Sequence, residues 1–347
     1  MKLKNLNIYI LYLFSLVYIS LSLFTSVDTT DLNSSAEKVL FNGKFIEWMV
    51  SSVTSSGRFV PFSNAINIFI FQFTDKFYVF FIAKVILIVF NFYFLYKIFE
   101  ELKINKFFPV ALILCLINHS FNNAIYITSF EAEISFLITL FFYLQLLNIK
   151  KEKILNNIFQ ILIIIYLLGL KESMFGFFLF FNLASYFFID KRKSFIISII
   201  LIIYISIYMF QVFSNLDTKN IYGISNLEGS FILSFVKNIS QYIISFPLVS
   251  LILIIISIIY LDFLFLRQKK INEHEKIFII ILISIIGYLS VYLSMRLFAF
   301  RYMYPIIILI LPIFFYSYTT LNKYIKGLLF IIFIIGPLSS TIINFKN

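Results

Sequence analysis

The sequence predicts an all-α polytopic membrane protein, a transmembrane helical bundle of about 10–11 spans. Three observations carry that expectation. The first is composition: 61% of the 347 residues are hydrophobic and only 13% are charged, with a mean hydropathy of +0.97. The second is that nearly charge-free runs recur at the length needed to cross a bilayer. The third is that Lys and Arg gather in short clusters between those runs. A membrane β-barrel would instead show short alternating segments, and none is present.

Taken in order, Lys2 and Lys4 precede a first span at 8–24. It has the basic start and apolar centre of a signal peptide. No small-x-small cleavage site follows, so a retained helix is expected, with the N-terminus in the cytoplasm. A long polar interval comes next, read as a first extracytoplasmic loop at 25–76. Within it, Ser34-Ser35-Ala36-Glu37 has the S-x-x-E spacing of a capping box. Asn42-Gly43 then stops a short helix. Phe45, Trp48, Met49 and Val53 recur at helical spacing, so two amphipathic helices are expected on the membrane face, with Trp48 at headgroup depth. Pro61 closes that loop.

Further spans are expected at 77–96, 107–125, 131–147, 157–170, 175–189, 195–213, 243–266, 277–295, 302–318 and 328–343, with a second outside loop at 214–242. The proposed inside loops hold Lys97, Lys103 and Lys106; Lys150, Lys151 and Lys153; Lys191, Arg192 and Lys193; Arg267, Lys269, Lys270 and Lys276; and Lys323 and Lys326. With Lys2 and Lys4 these make 17 of the 28 basic residues, which is how a chain sets its orientation in a bilayer. The net charge of +11 is therefore a membrane signal, and nucleic acid is not an expected partner. The single cysteine, Cys115, excludes an internal disulfide and a Cys-based metal cluster. The chain reads as one domain, 1–347, with no clean internal repeat.

Ionisable groups near membrane depth are costly and mark candidate sites. Asp28, at the mouth of the first span, and Asp31 are either a general base and a divalent-ion ligand or solvated loop residues capping a turn. Arg58, beside Gly57, either grips a phosphate bidentately or anchors the loop to lipid headgroups. Lys171-Glu172 interrupts an apolar run at an outer helix end, where topology needs neither charge. The pair either holds a lipid phosphate and orients an acceptor, or forms a structural interhelix ion pair. Adjacent residues on a helix do not face each other, so each is expected to have its own partner. Arg296 and Arg301 sit at an outer edge against the positive-inside bias and are expected to bind something anionic.

Glu131 and Glu133 open a span, where acidic residues favour the helix dipole. Lys84, inside a span, either snorkels or faces the bundle. His119 and His274 lack ligand spacing and read as surface residues. Metalloprotease, P-loop, dinucleotide and nucleophile-elbow patterns are absent.

The chain resembles the GT-C superfamily of integral membrane glycosyltransferases, and especially the bacterial branch that decorates surface polysaccharide. The residues behind this are the large loop after the first span, Asp28 and Asp31 at its start, the helices around Ala36 and Trp48, and Trp48…Gly57-Arg58. Lys171-Glu172 at an outer helix end and Arg301-Tyr302-Met303-Tyr304-Pro305 add to them. Many family members carry an adjacent acidic pair in the first loop, whereas two Thr separate Asp28 from Asp31 here. The resemblance implies a membrane-only enzyme of the bacterial inner membrane that uses a polyprenyl-phosphate-linked sugar as donor and a glycan or lipid as acceptor. It implies that Asp28 or Asp31 activates the acceptor, that Arg58, Lys171, Arg296 or Arg301 holds the phosphate, and that Glu172 and Tyr302 belong to the substrate site. No resident cofactor is implied, and a divalent cation stays open. A polysaccharide polymerase or ligase is the alternative of the same class. A transporter or flippase, or a non-catalytic scaffold, is the alternative of a different one.

Overall fold

The computed structural model describes residues 61–62, 65–71, 73–74, 76–116, 131–189, 191–214, 271–294 and 300–320. They form α1 (Ala65–Phe71), α2 (Phe77–Glu101), a 3₁₀ turn (Asn105–Phe107), α3 (Phe108–Leu116), α4 (Glu131–Lys150), α5 (Ile154–Leu170) and α6 (Ser173–Phe188). After these come α7 (Lys191–Ser214), α8 (Glu273–Ser294), a second 3₁₀ turn (Phe300–Met303) and α9 (Tyr304–Thr320). No strand occurs among the described residues. Seven expected spans coincide with α2 and α4 to α9, their ends displaced by a few residues; of the expected span 107–125 only residues 107–116 are described, and they include α3. The expected spans at 8–24, 243–266 and 328–343 lie outside the described residues, as do the two amphipathic loop helices. Helix α1 falls within the interval read as the first loop. Its sequence, AINIFIF, is apolar apart from Asn67, and no helix is expected there from the sequence.

Among the described residues, four helices are long and apolar enough to cross a membrane: the stretches Ile82–Glu101, Glu131–Lys150, Lys193–Phe210 and Glu273–Leu293. Shorter apolar helices, α3, α5, α6 and α9, accompany them. In the α4 and α8 stretches 61% of the residues are buried within the bundle, against 22% for α7, which therefore lies at the periphery. Ile82, Ile86, Phe90 and Tyr93 form an exposed apolar stripe along α2, and Ile196, Ile199, Ile203 and Phe210 do the same on α7. A water-soluble protein rarely exposes apolar surface on this scale, whereas lipid tails cover it without cost.

A close helix crossing joins α6 to α8. A Cβ placed on Gly176 would run into the carbonyl oxygen of Gly287, and would stand 2.6 Å from Val291 Cγ2. Small residues at such a crossing let backbones touch, which is how helices gain packing energy inside a bilayer. Three buried hydroxyls are satisfied within their own helices: Ser135 Oγ donates to the Glu131 carbonyl, Thr139 Oγ1 to the Ser135 carbonyl and Ser284 Oγ to the Ile280 carbonyl, each at 2.6 Å.

The two ends of the bundle differ in chemistry. At one end Lys150 pairs with Glu101, while Lys97–Glu100, Lys193–Glu152 and Lys276–Glu273 close at 2.8, 2.8 and 2.6 Å. The C-terminal part of α9 reaches this basic end, where Asn272 Nδ2 donates to the Tyr316 hydroxyl at 3.3 Å. The opposite end gathers aromatic rings and buried charges. Described helices thus begin and end on the sides that the Lys clusters predicted relative to one another.

Candidate functional site

The aromatic end is built where four helix termini meet. Helix α5 stops at Leu170, and Lys171 adopts an extended conformation. Winding resumes at once, with the Met174 N–H donating to the Lys171 carbonyl at 3.1 Å and the Phe175 N–H to the Glu172 carbonyl at 3.0 Å. This two-residue break leaves both side chains at the tip of a helical hairpin, yet Lys171 and Glu172 are each only 7% exposed. The first turn of α4 lies beside the tip, with Glu131 1% and Glu133 6% exposed.

Lys171 Nζ donates to Glu131 Oε1 in a buried ion pair. The same ammonium stands 4.1 Å from the centre of the Tyr302 ring and 5.5 Å from that of Tyr292. Those two rings stack with centroids 4.3 Å apart. Tyr292 is fixed in turn by Ser173, hydroxyl to hydroxyl at 3.0 Å, and by Tyr288 at 3.3 Å. The Tyr288 hydroxyl also donates to the Tyr302 carbonyl at 3.3 Å. The cation is therefore held between a carboxylate and two aromatic faces, an arrangement that strengthens when water is kept away.

A second pair flanks the first. The Tyr166 hydroxyl donates to Glu133 Oε1, and Lys84, buried on α2, lies within electrostatic reach of Glu133 and Glu131. The segment just before α1 is pinned here as well. The Phe62 N–H donates to the Gly169 carbonyl at 2.9 Å, and the Phe62 ring stacks on Tyr166 at 5.0 Å. Gly169 is required for that approach, because a Cβ there would collide with the Phe62 ring.

Among the residues singled out from sequence, Lys171, Glu172 and Tyr302 come to this end, and Lys171 meets Tyr302 directly. Arg301 belongs to the adjoining 3₁₀ turn, Phe300–Met303. Asp28, Asp31, Arg58 and Arg296 lie outside the described residues. Of the two readings of Lys171, the interhelix ion pair is present. Glu131 and Glu133 do more than complement a helix dipole, since both are buried and each has a side-chain partner. Lys84 faces the bundle. Ser173, Tyr166, Tyr288 and Tyr292 were not foreseen. The only sequence signal for this set is that opposite charges, Lys84 and Lys171 against Glu131 and Glu133, occur near helix ends expected on one side of the membrane.

Among the described residues no group of three His, Cys, Asp or Glu side chains is placed to hold a metal ion. Chemically the cluster offers an ammonium for an anionic group, carboxylates that can accept a proton or a hydroxyl, and a stacked aromatic platform. Comparison with protein families, with characterised proteins and with solved structures gives no match.

Proposed function

We propose that the aromatic end is the reaction face of a membrane glycosyltransferase. The enzyme moves a sugar from a polyprenyl-phosphate-linked donor to a cell-surface glycan or lipid acceptor on the extracytoplasmic side. The observation that carries this reading is Lys171, a buried ammonium held by Glu131, Tyr292 and Tyr302. Such a charge is expensive in a bilayer and is retained where a substrate needs it.

In this reading the donor enters sideways between helices and its phosphate competes with Glu131 for Lys171. The sugar lies against Tyr302, with Glu172 orienting the acceptor. Asp28 or Asp31 takes the proton of the acceptor hydroxyl as its oxygen bonds to the anomeric carbon. The bond from that carbon to the phosphate oxygen breaks, and the departing phosphate carries the negative charge. Arg58, four residues before the pinned Phe62, joins Arg296 and Arg301 in stabilising that charge.

The test is mass analysis of surface and lipid-linked glycans from a deletion strain complemented with wild type, Asp28→Asn or Lys171→Met. Loss of one sugar mass from an otherwise intact glycan, restored by wild type and by neither variant, supports the transferase. Collapse to single repeat units favours the polymerase or ligase. An unchanged profile refutes both.

One observation favours a reading of a different class. Lys84, Glu131, Glu133 and Lys171 are opposite charges buried together within the bundle, as an ion-coupled transporter requires. Proton-coupled solute uptake into proteoliposomes, abolished by Glu133→Gln while glycans stay unchanged, would establish that alternative.

A further inference from the structure

The basic half of the bundle contains a cavity of about 80 Å³ between α4, α5, α6 and α7. Its polar lining is Gln145, Asn157, Gln160, Ser185 and Lys193, set among Phe and Ile side chains. Gln160 and Ser185 are 6% and 5% exposed, and Gln160 Nε2 and Ser185 Oγ have no hydrogen-bond partner. Leaving one such group unsatisfied in an apolar interior costs about 1–3 kcal/mol. Two on one cavity mark a place built for a ligand that brings acceptor oxygens.

Three further features narrow the ligand. Lys193 supplies positive charge at the rim; its ammonium bonds Glu152 at 2.8 Å and its side chain is 29% exposed. The lip is apolar, since Ile189 and Ile196 are 43% and 46% exposed. Lastly, the cavity opens beside α7, the most peripheral of the long helices, where α6 ends and α7 begins. That is the depth at which headgroups meet acyl chains if the apolar stripes of α2 and α7 face lipid. The volume takes a headgroup fragment and excludes acyl chains, which would run outside along α7.

We propose that this cavity is a binding site for the phosphate of an anionic membrane lipid. Lys193 supplies the charge, Gln160 and Ser185 supply hydrogen bonds, and Glu152 is the internal competitor for Lys193. The site lies in the opposite half of the bundle from the Lys171 cluster and does not depend on the activity proposed for that end.

Native mass spectrometry of the full chain in mild detergent tests this. The probes are phosphatidylglycerol, diacylglycerol with the same acyl chains and no phosphate, and inorganic phosphate. One phosphatidylglycerol per chain is expected to be retained, saturably and about tenfold more tightly than diacylglycerol, the worth of one charge-assisted hydrogen bond. Lys193→Ala and Ser185→Leu, the latter filling the cavity, should each abolish the preference, and Lys193→Arg should restore it. Replacing the exposed Lys151 and Lys153 by Ala should leave it intact. Lys193 is at the rim, so its variants test the site even where Ser185→Leu fails to fold. The proposal is overturned if Lys151 and Lys153 matter as much as Lys193, which would mean general surface attraction. It is equally overturned if inorganic phosphate competes at the lipid's concentration. Unchanged retention in Ser185→Leu would show a cavity that holds only water, and would overturn it too.

Discussion

Replacing Lys171 by Met removes one charge from the most buried ion pair described in the bundle and keeps the side-chain volume. Glu131, 1% exposed, would then be a carboxylate without its nearest cation. Breaking a buried pair on one side costs about 3–5 kcal/mol. The contact with Tyr302 at 4.1 Å adds roughly 2 kcal/mol when desolvated, part of which the Met sulfur restores against the same ring. Lys84 lies within electrostatic reach of Glu131 and offsets some of the loss. The lower end of the range, about 3 kcal/mol, is therefore expected. Lys171→Met with Glu131→Gln removes both charges and should be more stable than Lys171→Met alone, giving a coupling of about 2 kcal/mol or more. The assay is equilibrium unfolding of the full chain in mixed micelles of mild and denaturing detergent. A Lys171→Met protein within about 0.5 kcal/mol of wild type, the usual scale of an uninvolved surface change, would refute the reasoning, as would additive effects in the double variant.

Gly176→Ala should destabilise by about 1–3 kcal/mol in the same assay, since its Cβ forces α6 and α8 apart; wild-type stability would show that the crossing is looser than described. Gly169→Ala meets a movable ring, with Phe62 Cε2 at 2.8 Å, so it should release Phe62 rather than unfold the bundle. Faster proteolysis just before residue 62, matched by Phe62→Ala and not increased in the double variant, checks this. Lys103 has a φ of 58°, in the left-handed region where a side chain is strained. Lys103→Gly should therefore stabilise by roughly 0.5–1 kcal/mol once the entropy of Gly in the unfolded chain is counted, and a destabilised variant would contradict it. At the basic end, hydrogen bonds from Lys193 and then Asn157 hold the Glu152 carboxyl below its usual range. A depressed carboxylate contributes fully above about pH 4.3 and loses that contribution as pH falls through its folded value. Glu152 is largely solvated, so the effect is small. Glu152→Gln should show a slightly flatter acid profile than wild type, and superimposable profiles would refute the link.

Much of the helical framework was legible in the sequence. A long apolar run satisfies its own backbone by winding into a helix, so seven expected spans coincide with helices α2 and α4 to α9, and four of the described helices are long and apolar enough to cross a membrane. The Lys clusters likewise sort the described helix ends into two chemically different groups. The Lys171-Glu172 interruption stood out as a place of chemistry because charge is rare within apolar runs. Its partners did not stand out. Glu131 and Glu133 had a sufficient local explanation in the helix dipole, and nothing in the order of residues set them beside a lysine forty positions on.

What the sequence by itself determined, then, is the helical class, most of the described helices and the end of the bundle at which each begins, because each follows from local hydropathy and charge. Only the tertiary structure decided which faces touch and which charges pair. In a chain this rich in Ile and Phe, the lipid-facing and core-facing sides of a helix are equally apolar. Periodicity therefore carries little information, and the stripe of α2 exposed at Ile82 and Ile86 reads like the buried one at Ile88 and Leu95. The pairing of Lys171 with Glu131 and the orphaned groups of Gln160 and Ser185 come from the packing of α4 to α7, which brings together side chains that no local pattern links.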